Sequence, residues 1–364
     1  MHEGSAVARA ISVPHTSGGH CASSAFRDLL EHNGLSFTGR PLSEAMVFGL
    51  AGGLDFRFGQ PQRMDPPVWI TGRSATLESD LCTHIGADAE LRQTDDPEVG
   101  WRWVAEKLDR GEPALIWADI HELSYLQVHL HNTWHDLIVV DHDAERRTAT
   151  VLDFAFDEPQ ECTLESLARA RCADAMPAGA NRHATWFVDF PEALPDARET
   201  IVQAVRRAVA NMRPDAENDP FRWLGEPGLA GLELFVDDFA AWATRDLDLR
   251  EWLRRIRLLV ERAGTGGGLF RNLYAGFLAE AGELLDDPAL TEAADVYRRA
   301  AEGWSEAVRI PAAADLRAVH REAVPRLAGI CQLERVGVEL LDAWVSRQGA
   351  GGSRWIDTTT QEES

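Results

Sequence analysis

The stretch Ser17-Gly18-Gly19-His20-Cys21-Ala22-Ser23-Ser24-Ala25 decides how this 364-residue chain is read. It runs into Phe26-Arg27-Asp28-Leu29-Leu30-Glu31-His32-Asn33, whose apolar spacing predicts an amphipathic helix over 21–33, ended by Gly34. A cysteine that opens a helix behind two glycines is suited to nucleophilic chemistry. A free thiol titrates near ~8.5, and a helix N-terminus with a neighbouring imidazolium lowers that value. Glycines let a substrate approach the backbone, and the Cys21 amide can then point at an oxyanion formed on the attacked carbonyl. The plain competing reading is a small core residue at a helix start. The other four cysteines read as structural: Cys82 and Cys331 fall on apolar helix faces, and Cys162 and Cys172 flank an acidic helix.

A nucleophilic thiol needs a base, and the base needs an orienting group. His129-Leu130-His131-Asn132-Thr133-Trp134-His135-Asp136 leads into the apolar run Leu137-Ile138-Val139-Val140, which puts His135 at the start of a strand. The next strand candidate ends in Asp153. On paired antiparallel strands the two can be cross-strand neighbours, giving the chain order Cys, His, Asp of papain-like sites. Asp141 and Asp143 are rivals for the acid but fit the intervening turn. His15, Ser17 and His20 are candidates for a second oxyanion donor, and the sequence does not choose among them. A metal reading groups His129 and His131 with His135 or His142; no general base or supporting shell accompanies it. His2, His32 and His320 read as surface or turn residues.

Working outward, strands are expected at 113–120, 136–143, 149–156 and 184–190, the middle two as a hairpin, and helices at 41–49, 76–85, 97–110 and 163–171. This is an α+β first domain, spanning 10–192. From about 195 the strands stop and long amphipathic helices follow, the last with a kink expected at Pro325. An all-helical domain is therefore placed at 197–346, beyond the Pro- and acid-rich stretch 191–199, and residues 347–364 read as a disordered tail. Each half is long enough to bury its own core.

The balance of 36 basic and 59 acidic residues gives a formal charge of −23. Such a field disfavours nucleic acid and anionic membrane surfaces and suits a cationic partner. Five scattered cysteines without CxxC spacing argue against a disulfide framework. No apolar run approaches the ~18 residues of a membrane span, and the N-terminus lacks a signal-peptide core. The expectation is a cytoplasmic protein.

Gly19-His20-Cys21-Ala22-Ser23-Ser24-Ala25-x-Arg27-Asp28-Leu29-Leu30, followed by Leu42-Ser43-Glu44-Ala45-Met46-Val47-Phe48-Gly49-Leu50, resembles the N-terminal domain of the butirosin biosynthesis protein H family. Gly264-Thr265-Gly266-Gly267-Gly268-Leu269-Phe270-Arg271-x-x-Tyr274-x-x-Phe277-Leu278-x-Glu280 resembles the helical domain usually fused to it. The resemblance implies a C39-peptidase-like, papain-type fold used for acyl transfer. The founding member moves an aminoacyl side chain from an acyl carrier protein to an aminoglycoside amine. By resemblance Cys21 is the nucleophile, His135 the base and Asp153 the orienting acid, while Glu44, Arg271 and Tyr274 are candidates for substrate contacts. The enzyme would need no cofactor of its own, because the donor brings the phosphopantetheine. The implied partners are a carrier-protein or pantetheine thioester and a cationic, amine-bearing acceptor; a homodimer is left open.

The same motifs have local readings. Ser43 and Glu44 suit an N-cap and first-turn acid. The run Gly264–Gly268 reads either as a helix-to-helix turn closing over the cleft or as an anion-binding loop with Arg271 nearby. Arg254, Arg255 and Arg257 suit a dock for an acidic carrier or a solvated helix face. The rival functions are thioester release by cyclisation or hydrolysis, peptide cleavage, and non-catalytic binding on the same fold.

Overall fold

A computed structural model of the chain describes residues 10–351, apart from 176–177, 215–218 and 313. Cys21 opens α1 (Cys21–His32), whose N-cap His20 is extended and accepts from the Ser23 amide. The helix stops at Asn33, and Gly34 takes φ 68° beyond it. In α2 (Glu44–Leu50), Ser43 caps the Met46 amide. Then follow β1 (Leu54–Gly59), β2 (Trp69–Arg73), α3 (Leu77–Ile85), β3 (Asp88–Arg92) and α4 (Pro97–Asp109). After these come β4 (Ala114–Ala118), β5 (His135–Asp143), β6 (Thr148–Leu152), β7 (Gln160–Thr163), α5 (Leu164–Cys172), the short ribbon β8 (Asp174–Ala175) and β9 (Gly179–Ala180), and β10 (Thr185–Asp189).

The central sheet has the order β3-β10-β4-β5-β6-β7, and every neighbouring pair is antiparallel. The period-two rule separates its faces. Ile138 and Val140 of β5 join the cluster that contains Phe26 and Leu29 of α1, whereas Leu137 and Val139 pack with Val104 of α4 and Leu167 of α5. Helix α1 thus covers one face and α4 and α5 the other, and the α1 N-terminus comes to the end of the sheet where β5 begins. The expected hairpin is present as β5 and β6, with Ile138 opposite Leu152. Strands β1 to β3 were not expected. All six residues of β1 are buried or nearly so, including Asp55 and Arg57, so no alternation marks it.

The helical half comprises α6 (Ala197–Met212), α7 (Gly228–Ala241), α8 (Leu249–Glu261), α9 (Arg271–Leu285), α10 (Pro288–Ala307) and α11 (Leu316–Gly351). Three expectations need correcting here. Strands do not stop at 195: β11 (Glu226–Pro227) pairs with β1, in a second sheet of order β11-β1-β2. The halves do not bury separate cores, because one continuous cluster holds Phe26, Phe48 and Phe56 together with Phe235, Phe277 and Trp304. A Cβ on Gly49 would lie 1.8 Å from the Phe277 ring, so α2 and α9 meet almost backbone to side chain. The last helix, with Pro325 inside it, runs past 346 to Gly351, where a disordered tail was expected; residues 352–364 lie outside the described part. No helix among the described residues is long and apolar enough to cross a membrane.

Candidate active site

Cys21 is the first residue of α1 and is almost wholly buried. Its amide therefore has no acceptor within the helix. The preceding amides are already used: Glu44 accepts from Gly19 N at 2.8 Å and from His20 N at 2.7 Å, and also from Ser23 Oγ at 3.1 Å. Glu44 thus acts from α2 as a clamp on the loop before the thiol, in addition to being a first-turn acid of its own helix. His20 directs Nδ1 at Ser23 Oγ, 3.0 Å away, and its ring sits edge-on to Phe270 and Phe48.

His135 is buried at the start of β5, near enough to Cys21 for each to shift the other's ionisation. Its Nε2 lies 3.1 Å from Asp153 Oδ2. Asp153 also accepts from Tyr125 Oη at 2.9 Å and from the Ala155 amide at 3.1 Å. Burial by itself would push the thiol pKa up and the imidazole pKa down. The charges win in both cases: His20 and His135 hold Cys21 well below its usual range, and Asp153 and Cys21 hold His135 well above its own. Burial also opposes ionisation of Asp153, but His135, the Ala155 amide and the Tyr125 hydroxyl keep it below the usual carboxylate value. These directions favour a thiolate beside an imidazolium with a carboxylate behind it.

The residue before His135 is held as carefully. Trp134 takes φ 57°, the left-handed region that costs a bulky residue of order 1–3 kcal/mol. Its amide donates to Asn181 Oδ1 at 2.8 Å, and its indole stacks on Trp117 at 5.0 Å. Asn181 is fully buried and is fixed in turn by its amide group donating to Ala170 O. Sequence reading gave no sign of Asn181.

Asp136 was also missed. It faces the α1 side of the sheet, the side opposite to that of its neighbour in the strand, and its Oδ2 lies 4.0 Å from Cys21 Sγ. It is 1% exposed, and its Oδ1 has no hydrogen-bond partner. Burial, then the nearby charges of Glu78 and Cys21, push its pKa well up, so it holds a proton where a surface aspartate would not. Glu78 is buried with it and paired with Arg73 at 3.2 Å. The signal available was an aspartate heading an otherwise apolar strand, directly after the histidine.

The remaining candidates scatter. His15 uses Nδ1 on Asp28 Oδ2 at 2.5 Å and Nε2 on Phe156 O at 2.9 Å, and Ser17 bonds Asp157 through both its amide and hydroxyl. Both fasten the N-terminal segment rather than facing the thiol. Arg271 is fully buried against Glu334 at 2.6 Å and donates to Gly72 O and Leu269 O, so it cannot grip a substrate anion. Tyr274 is fully buried between Phe277 and Tyr297. Three amides of the loop 264–268 are already used: Gly266 N donates to Gly19 O, Gly267 N to Thr265 Oγ1 and Gly268 N to Glu261. The loop is the turn that closes the helical half onto the thiol segment. The histidines near 130 diverge. His131 pairs with Asp119, His135 with Asp153, and His142 packs on Trp101. Among the described residues no group of three or more His, Cys, Asp or Glu is arranged to hold a metal ion.

Two cavities meet at Cys21. The smaller, of ≈ 120 Å³, is lined by His20, Arg57, Arg73 and Trp134 among others. The larger, of ≈ 350 Å³, includes His135 in its wall and is mostly apolar, with Arg255 and Arg262 at its margin. No carboxylate stands among the described residues that line either one. The side chains that line the cavities thus carry basic and no acidic groups, in contrast to the chain as a whole, although Arg57 and Arg73 are paired with carboxylates behind the wall.

Residues 20–154 match the family described as "Butirosin biosynthesis protein H, N-terminal", and residues 165–341 match the "Domain of unknown function (DUF4872)". Comparison with curated proteins gives no match. With these two domains in this order, the chain belongs to the butirosin biosynthesis protein H-like family.

Proposed function

We propose that this member of the butirosin biosynthesis protein H-like family is a biosynthetic enzyme that transfers an acyl group through Cys21, on the papain-type arrangement its family resemblance implies. The observation that carries the proposal is a buried Cys21 that borders two cavities, with His135 close enough to act on its charge and Asp153 3.1 Å from the imidazole. The Cys21 thiolate attacks the carbonyl carbon of a carrier- or pantetheine-bound thioester. The new S–C bond forms, the Cys21 amide faces the oxyanion, and the departing thiolate takes the proton from His135. Of the three side chains considered as second oxyanion donor, His20 is the one whose second ring nitrogen is not engaged elsewhere. An amine then attacks the acyl-enzyme and gives its proton to neutral His135, and Cys21 leaves as thiolate. The ion pair is restored. Asp153 keeps the imidazole oriented and stabilises its charged form.

The loop 264–268 lies against Gly19, which places the helical half where it can keep water from the acyl-enzyme. One observation favours a second reading, release of the chain by cyclisation or by water. A cationic acceptor would meet arginines and no lining carboxylate in either cavity. Incubating the enzyme with an acyl-pantetheine and following free thiol, with and without added amines, tests both. Amide product and thiol release that depend on Cys21 support transfer. Free acid or lactam formed at the same rate with and without amine supports release. Equal thiol release by Cys21→Ala contradicts both.

A further inference from the structure

We infer that the larger cavity at Cys21 receives an uncharged alkyl chain attached to the sulfur, so that the group transferred is an apolar acyl chain and not an aminoacyl one. This rests on the reading of Cys21 as the acylated residue. Anything bonded to Sγ must extend into one of the two spaces the sulfur borders. The smaller has about a third of the volume of the larger, at ≈ 120 Å³, and carries Arg57 and Arg73 in its wall. The larger has ≈ 350 Å³ and is walled by Ile120, Leu126, Val128, Leu130, Leu258 and Leu259. An alkyl chain there leaves water for an apolar surround, at about 0.8 kcal/mol for each methylene.

A terminal ammonium would fare badly in the same place. It would lose its hydration among leucines and valines, with no lining carboxylate to pair with. It would also face Arg255 and Arg262, neither of which has an acidic partner among the described residues; Arg255 is tied only to the Asp65 carbonyl, at 2.8 Å. His131, also in the wall, is already bonded to Asp119. The net charge of −23 points to a cationic ligand, but the residues that would touch it point the other way. At these distances the local groups decide, since exposed charges beyond about 8 Å are largely screened at physiological salt.

The test is the rate of Cys21 alkylation by two probes of equal length, N-hexyl iodoacetamide and N-(5-aminopentyl) iodoacetamide, each scaled to plain iodoacetamide and read by peptide mass. The hexyl probe is expected to react faster by roughly tenfold, the worth of about two methylenes taken from water. Val128→Trp, at a half-buried loop position, should slow the hexyl probe and leave plain iodoacetamide unchanged. Arg262→Glu, at an exposed position, should narrow the difference between the probes. An ammonium probe that reacts as fast as the hexyl probe or faster overturns the inference, and so does a preference that neither substitution moves. The alkylation needs no acyl transfer. A hexyl preference in an enzyme that hexanoyl-pantetheine never acylates would therefore sink the transfer reading while leaving the cavity's selectivity standing.

Discussion

The amide of Gly266 donates to the carbonyl of Gly19 across 3.0 Å, joining the helical half to the chain two residues before the thiol. A Cβ on Gly19 would stand 2.8 Å from the Gly266 Cα, backbone that cannot swing aside. Gly19→Ala should therefore push the two segments apart and cost about 1–3 kcal/mol, the usual range for overpacking. Thermal unfolding measures that cost. Alkylation of Cys21 should slow at the same time, because the same loop positions His20 and the start of α1.

The ion pair makes a signed prediction for pH. With Cys21 depressed and His135 raised, the thiolate persists well into acid, and alkylation should fall only as pH drops through the lowered thiol value. Asp153→Asn removes the charge that keeps His135 protonated. The thiol should then titrate nearer its free value of ~8.5 and react at pH 7 at a rate lower by on the order of tenfold. A rate profile of iodoacetamide labelling for the two proteins decides it; coincident profiles would mean that Asp153 has no hold on the pair.

Asp136 and Asp153 should influence stability in opposite directions. Asp153 is depressed in the folded protein, so its contribution is present above the unfolded value of 3.8 and is lost as pH falls through the folded one. Asp136 is raised, so the folded state retains a proton that the unfolded chain releases, and stability declines as pH climbs above 3.8. Asp136→Asn keeps the shape and removes that liability. Its Tm should match wild type in acid and exceed it at neutral pH, by roughly 2–4 °C for each kcal/mol gained. A lower Tm at neutral pH would show that Asp136 is ionised and paired.

Asn181 supports the histidine from behind. Asn181→Ala removes the acceptor for the left-handed Trp134 and the donor to Ala170 O. The expected loss is about 1–3 kcal/mol for buried groups left unpaired. Alkylation of Cys21 should become slower and more pH-dependent as His135 loses its fixed approach. Unchanged labelling in a folded variant would confine Asn181 to the scaffold.

What could be read from the sequence follows the range of the interactions. The helix at Cys21 and the hairpin that His135 opens come from local periodicity and turn residues, so their places were legible, although the second strand ends at Leu152 and not at 156. Strand β1 was not, because Asp55 and Arg57 are buried against each other and against Asp219, far along the chain, which erases the alternation. Arg271 was read as free because its partner Glu334 lies 63 residues away on another helix. Asp136 was overlooked for a different reason: a strand sends successive side chains to opposite faces, and only the arrival of α1 at the sheet end lets both 135 and 136 reach one sulfur. Charge misled in the same manner, since the sum over 364 residues conceals the arginines at the cavities.

Intact-protein mass after brief exposure to an acyl-pantetheine thioester, for wild type, Cys21→Ala and His135→Ala, tests the central claim most directly. Wild type should gain one acyl group, Cys21→Ala none, and His135→Ala the same group far more slowly. A wild-type protein that gains nothing from any thioester, or a Cys21→Ala protein that gains as much, would contradict it.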